Sequence, residues 1–370
     1  MDERTLLFAL HETKRIGHKT IGKIVKAVSP LSELPEMDAK HLADLGIAGK
    51  QAELILHGLK PEVMERKLEL YRKRGIGWIT VRDEAYPEIL RQIPQPPWVL
   101  YYKGDLSLLK KPVLAIVGTR TPTVYGIKTA EELARSLSQV GFCVVSGLAR
   151  GIDSAAHAGA LMGNSGTIGV LGNGLDRVYP AENLPLYRAV AEKGLLLTEY
   201  PLGTPPHPGL FLQRNRIIAG LSLGTIVVEA AARSGSLITA EFALEASRDV
   251  FAVPGPVHSP KSQGTLDLIK KGAAKLITSV NDIIEEYTHL LSSAASADRP
   301  RLSMRDNVPA FAGLTEEERK IYDLLCSMPR TIDELLEQSQ INFGHLHSVL
   351  LSLLMKQKIR ELPGCIYTAI

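Results

Sequence analysis

Apolar positions along this chain follow two periods. Short, nearly unbroken apolar runs recur at 113–117, 142–146, 167–171, 195–198, 225–229 and 249–253, with a seventh at 275–278. Between them the spacing changes to that of an amphipathic helix, as over 129–140 and 239–247. Continuous apolar runs suit strands covered on both faces, and strands alternating with helices predict a parallel, doubly wound α/β sheet. The segment before Val113 holds Tyr86-Pro87 and three prolines, Pro94, Pro96 and Pro97, and reads as a stiff lead-in to that sheet.

The pattern divides the chain into four parts. Residues 1–77 keep a helical period throughout, and 78–290 carry the strand–helix alternation. Residues 291–312 are small, polar and proline-containing, which predicts a linker. Residues 313–370 read as helices followed by a hairpin around Pro363-Gly364, a winged-helix pattern with a second helix at 331–336 and a recognition helix at 345–355.

Composition changes this picture little. A chain of 370 residues with 45% hydrophobic content is long enough for two or three domains. A formal net charge of +3 does not announce a nucleic-acid binder, so any such footprint must come from local clustering. Cys143, Cys326 and Cys365 lie far apart and fit no metal-binding spacing, which points to a reducing, cytoplasmic setting. Asp2, Glu3 and Arg4 after Met1 do not form a signal-peptide pattern, and no apolar run approaches the ~18 residues of a membrane span. No membrane association, cofactor or metal is expected.

Candidate chemistry concentrates where strands end. The first two runs lead into V-G-T-R and S-G-L-A-R-G, offering Gly118, Thr119 and Arg120, then Ser146, Gly147 and Arg150. At the carboxyl edge of a parallel sheet, such turns combine close backbone approach, helix N-terminal N–H groups and a forked cation, a setting for phosphate. A third cluster, F-L-Q-R-N-R, places Phe211 before Arg214, Asn215 and Arg216; the ring could stack on a base while the cations hold phosphates. The plainer alternative buries Phe211 and pairs one arginine with an interior carboxylate. A fourth, Ser234, Gly235, Ser236 and Thr239, opens a helix and offers another anion seat, compatible with simple capping by Ser236.

Other features divide between chemistry and architecture. Glu229 ends a strand and is either catalytic or an anchor for a neighbouring arginine. Asp153 and His157, one helical turn apart, are a possible metal pair but fit better as a surface pair. The turn L-G-N-G-L-D-R-V-Y-P at 171–180 follows a strand, with Tyr179 and Pro180 expected to pack beneath it. Neither G-x-G-x-x-G nor a P-loop is present, and no nucleophile elbow or H-E-x-x-H occurs. Near the start, residues 15–25 and 45–55 each place glycine and lysine between helical patterns, as helix–hairpin–helix units do when they contact phosphate. Ordinary glycine-capped turns would look the same. That part is only mildly basic, with 14 Lys/Arg against 11 Asp/Glu.

Taken in order, V-G-T-R, S-G-L-A-R-G-I-D, R-N-R-I-I-A-G-L-S and S-G-S-L-I-T-A resemble the DprA/Smf family of DNA-processing proteins. The resemblance spans the whole α/β part, and the helical ends agree with it. It implies an extended Rossmann-like fold between a SAM-like helical domain and a winged helix. It also implies a non-enzymatic protein of natural transformation that binds single-stranded DNA, dimerises and loads RecA, with single-stranded DNA-binding protein as a further partner. Carried over by motif, the DNA pocket uses Gly118, Thr119, Arg120, Ser146, Gly147 and Arg150. Its other wall comes from Phe211, Arg214, Asn215 and Arg216, with Ser234, Gly235 and Ser236 beside them. Leu212 stands where the family usually has proline, and 208–210 lack a basic residue. A rival reading is hydrolytic: Gly224, Thr225 and Glu229 distantly resemble nucleoside-monophosphate phosphoribohydrolases of the lysine-decarboxylase-like fold, whose P-G-G-x-G-T run is absent here. In the last part, 6 Lys/Arg against 8 Asp/Glu over 313–370 favour a protein-contacting or regulatory winged helix over one that reads duplex DNA.

Overall fold

The computed structural model describes residues 2–288, 315–327, 330–339, 341–356, 358–362 and 366–369. The 291–312 linker and the Pro363-Gly364 turn lie outside the described residues. Two compact units are present, Met1–Ala295 and Ser296–Ile370.

In the first unit the apolar runs become strands of one nine-stranded sheet, ordered β1-β2-β6-β5-β4-β3-β7-β8-β9. The strands are β1 (Gly77–Thr80), β2 (Val99–Gly104), β3 (Val113–Val117), β4 (Cys143–Ser146), β5 (Thr167–Leu171), β6 (Leu195–Thr198), β7 (Gly224–Val227), β8 (Asp249–Ala252) and β9 (Lys275–Leu276). From β6 through β9 every pairing is parallel. β1 and β2, which the proline-rich lead-in conceals in the sequence, add an antiparallel extension: β2 pairs with β6, and β1 with β2.

Alternation within the unbroken runs assigns the two faces. Leu114 and Ile116 of β3 pack against α7 (Val124–Gln139) and α8 (Ile152–Leu161), whereas Val113, Ala115 and Val117 join the opposite core with Ile217 and Ala240. Those two residues belong to α10 (Pro208–Leu221) and α11 (Gly235–Glu245), and α9 (Leu184–Lys193) lies between α8 and α10 in the chain. Shorter helices α6 (Glu88–Arg91), α12 (Gln263–Lys270) and α13 (Asn281–Ile284) complete the α/β region.

The opening helices α1 (Glu3–Glu12), α2 (His18–Ala27), α3 (Ala39–Asp44), α4 (Gly49–Gly58) and α5 (Pro61–Lys73) share a core with the sheet extension. Phe8 packs on Tyr71, Trp78 and Tyr101, and the Tyr71 and Tyr101 rings stack at 5.1 Å. Both tyrosine hydroxyls donate to Oε1 of Glu12, at 2.6 and 2.7 Å. The two glycine–lysine turns connect α1 to α2 and α3 to α4.

The second unit is a winged helix. It has α14 (Glu316–Ser327), α15 (Ile332–Ser339), α16 (Phe343–Met355) and an antiparallel sheet of β10 (Arg330–Thr331), β12 (Ile366–Ala369) and β11 (Ile359–Leu362) in that order. Leu325, Leu335, Leu346, Leu350 and Leu353 form its core. Just after α16, Lys356 donates to Glu318 at 2.7 Å and holds that carboxyl down at about 2, and on α16 His345 meets Glu317 at 2.6 Å. Among the described residues no helix is long and apolar enough to cross a membrane.

Candidate nucleic-acid interface

The parallel arrangement brings the carboxyl ends of β3, β4 and β7 together, and the turns that follow them bound a cavity of about 610 Å³. Gly118, Thr119 and Arg120 enter from the turn after β3. Phe211, Arg214 and Asn215 enter from α10, and Ser234, Gly235 and Ser236 from the start of α11. A small adjoining pocket places Gly147 and Arg150 beside Arg120 and Phe211.

The cavity wall combines cations with flat rings. Arg120 is exposed, and its guanidinium carbon lies 5.8 Å from the centre of the Phe211 ring. That ring in turn stacks on Tyr179 at 5.1 Å, with 19° between the planes. Arg233, which is exposed, also lines the cavity. Arg150, at the rim, donates through Nη2 to Oε2 of Glu182 at 2.8 Å. Gly235 leads α11 with open space at its Cα, and the capping residue is Ser234 rather than Ser236. The Ser234 and Ser236 hydroxyls are bonded to one another at 2.8 Å. The array can receive an anion at a helix N-terminus flanked by two exposed guanidinium groups, with aromatic faces alongside.

Several expected site residues have other duties. Ser146 is buried, and its hydroxyl donates to the Ile116 carbonyl at 2.6 Å, tying β4 to β3. Arg214 lines the cavity but is only 4% exposed. Its Nη1 donates to the carbonyls of Gly147, at 2.7 Å, and Val170, and burial pulls its pKa down to about 10. A Cβ at residue 147 would stand 2.4 Å from that guanidinium, so the glycine makes room for it. Arg216 leaves the interface altogether: it points away from the cavity and pairs with Glu199 at 2.5 Å. This matches the plainer alternative of an arginine paired with an interior carboxylate.

The other assignments also change. Asp153 and His157 are buried rather than a surface pair. The Asp153 carboxylate accepts the N–H groups of Gly147 and Ala149 at 3.1 and 3.4 Å, while burial raises its pKa. Nε2 of His157 accepts from the Leu148 N–H at 3.3 Å, so the partners place the ring proton on Nδ1, which donates to Thr167 Oγ1 at 2.8 Å. Thr167 passes its own proton to the Val144 carbonyl at 2.7 Å. Among the described residues Glu229 pairs with no arginine; its carboxylate accepts the Thr123 N–H at 2.9 Å and the Thr123 hydroxyl at 2.5 Å, securing the start of α7.

Two wall residues, Tyr179 and Arg233, escape the sequence reading. Tyr179 does not pack beneath its turn; it is 45% exposed and stacks on Phe211. Its signal was the glycine turn after β5. Arg233 stands immediately before the serine–glycine–serine opening of α11, where its charge was legible but not its direction.

Comparison with known proteins gives this geometry a lineage. The family model for DNA recombination-mediator protein A matches residues 77–288, and the DprA winged helix domain matches 306–365. The DNA processing protein DprA of Bacillus subtilis is 46% identical over 224 residues, covering 60% of this chain and 75% of that protein. Protein Smf of Escherichia coli is 39% identical over 263 residues, covering 71% and 70%. The crystal structure of DNA processing protein A from Streptococcus pneumoniae superposes with a TM-score of 0.69 at 35% identity, over 77% of this chain and 99% of that one. DNA processing protein A from Helicobacter pylori, described for its single-stranded DNA binding mode, gives a TM-score of 0.53 at 34% identity, over 57% and 96%. With its α/β body and its winged helix both matched, the chain belongs to the DprA/Smf family of DNA recombination mediators.

Proposed function

We propose that this protein binds single-stranded DNA without regard to sequence, protects the incoming strand and loads RecA onto it during natural transformation. It acts in the cytoplasm as a homodimer, with single-stranded DNA-binding protein as a further partner, and needs neither catalysis nor a cofactor. The observation that carries this reading is the cavity at the carboxyl edge of the sheet. Exposed Arg120 and Arg233 stand there beside the N-terminus of α11 and the stacked Phe211 and Tyr179 rings. Phosphates suit the cations and N–H groups, and bases suit the rings. The Helicobacter pylori relative, with its single-stranded DNA binding mode, supports the same choice of ligand. Binding rather than hydrolysis is favoured because the Glu229 carboxylate is engaged by Thr123 and does not line the cavity. For the winged helix, the pairing of His345 and Lys356 with Glu317 and Glu318 favours contact with a protein.

The test is fluorescence anisotropy of a labelled oligonucleotide, single-stranded and duplex, with wild type, Arg120→Ala and Lys193→Ala. Arg120→Ala is expected to weaken single-strand binding roughly tenfold, whereas the exposed Lys193 changes it less than about twofold. Equal losses in the two variants would refute the cavity assignment, and binding confined to duplex would refute the choice of strand.

A further inference from the structure

A second and larger cavity, of about 730 Å³, lies across α10 from the first. Phe211, Arg214 and Asn215 face one cavity, while Gln213 and Arg216 face the other. The opposite wall is the turn between α1 and α2 with the first residues of α2, and Trp98 contributes from the segment before β2. All of these residues lie within the first compact unit.

Its chemistry is that of a flat, hydrogen-bonding ligand. Three aromatic residues line it: Trp98, Tyr200 and Phe242. The Trp98 indole is fixed by donation from Nε1 to the His18 carbonyl at 3.1 Å. Arg216 spends Nη2 on Glu199, but its Nη1 is buried and has no hydrogen-bond partner among the described residues. A buried donor left unmatched is costly, so an acceptor that reaches it from the cavity would be held there. The carboxamides of Gln95 and Gln213 add donors and acceptors. Glu199 is spent on Arg216, so the interior of the lining suits an uncharged planar group better than a buried anion, while Lys19 and Glu245 are both exposed. An anion belongs beside exposed Lys19, at the start of α2, where the capping residue Gly17 supplies no side-chain bond.

We infer that this cavity binds one nucleotide, its base among the aromatic rings with an acceptor on Arg216 and its phosphate beside Lys19. The inference rests on the single-strand reading only in its choice of a nucleotide as ligand. That nucleotide is either part of a strand held in the first cavity or a free mononucleotide.

The chain has two tryptophans, so Trp78→Phe leaves Trp98 as the sole reporter. Its fluorescence is titrated with dTMP and with a ten-nucleotide thymidine strand, while the anisotropy of the labelled strand is followed in parallel. Trp98 emission is expected to change, with Lys19→Ala weakening the response roughly threefold and Arg216→Gln roughly tenfold. Lys19→Ala leaves the Arg216–Glu199 pair intact, so the test survives if Arg216→Gln does not fold. A dTMP response that persists in Arg120→Ala assigns the site to free nucleotide; a response to the strand alone, lost in Arg120→Ala, assigns it to the strand. Strand binding by anisotropy with unchanged Trp98 emission overturns this inference and leaves the first interface standing. A Trp98 response to dTMP without any strand binding does the reverse. Unchanged affinity in both cavity variants also overturns it.

Discussion

The three arginines from the two richest motifs, Arg120, Arg214 and Arg216, have the same chemistry and three different fates. Arg214 and Arg216 are two positions apart on one helix, so they point to opposite sides, whereas Phe211, Arg214 and Asn215 share a face by their three- and four-residue spacing. The residue types in the motif are legible in the sequence; the helical phase that separates a cavity residue from an ion-paired one becomes legible only once α10 starts at Pro208. Removing Arg214 strands the Gly147 and Val170 carbonyls. Arg214→Met is therefore expected to cost about 3 kcal/mol of stability, read as a lowered urea midpoint, while Arg120→Ala leaves that midpoint nearly unchanged. An unaltered midpoint for Arg214→Met would refute its role as scaffold. His157 gives a second prediction. Burial pulls its imidazole down to about 3 from 6.5, so unfolding between those values takes up a proton. Its contribution is complete above about pH 6.5 and declines as the pH falls, by about 2 kcal/mol at pH 5. In His157→Gln the difference in unfolding free energy between pH 7 and pH 5 should shrink by that amount; an undiminished difference would mean that another group titrates.

At the scale of elements, the parallel strands β3 to β8 are legible because they are covered on both faces and each leaves an apolar run within a single window of sequence. The extension is not. In β2 the apolar stretch from Val99 follows Pro96, Pro97 and Trp98, and its partner is β6, so no local pattern announces the pairing. Helix contact supplies the element-scale prediction. α7 and α8 approach so closely that a Cβ at residue 159 would stand 2.1 Å from the Glu131 carbonyl oxygen. Gly159→Ala is expected to force the two helices apart and destabilise the protein by about 2 kcal/mol, measured by urea unfolding. Wild-type stability in that variant would mean that the contact yields without strain.

For the whole molecule, a formal charge of +3 over 370 residues leaves binding to depend on where the cations lie. Arg120, Arg150 and Arg233 gather at one edge of the sheet, and Arg150 is already shared with Glu182. With roughly 0.7 of a counterion released per phosphate neutralised on a single strand, the two unshared arginines should give log affinity against log salt a slope of about −1.4 per cavity. Anisotropy titrations across a salt series measure it, and a flat line would remove the phosphate grip. The antiparallel extension carries a different consequence, one of timing. Tyr101 belongs to the core of the opening helices, yet its strand partner is Thr198, roughly a hundred residues later. Loop closure over that distance is entropically expensive and slow. On the ribosome, the opening helices are therefore expected to complete their shared core only once β6 is available to pair with β2.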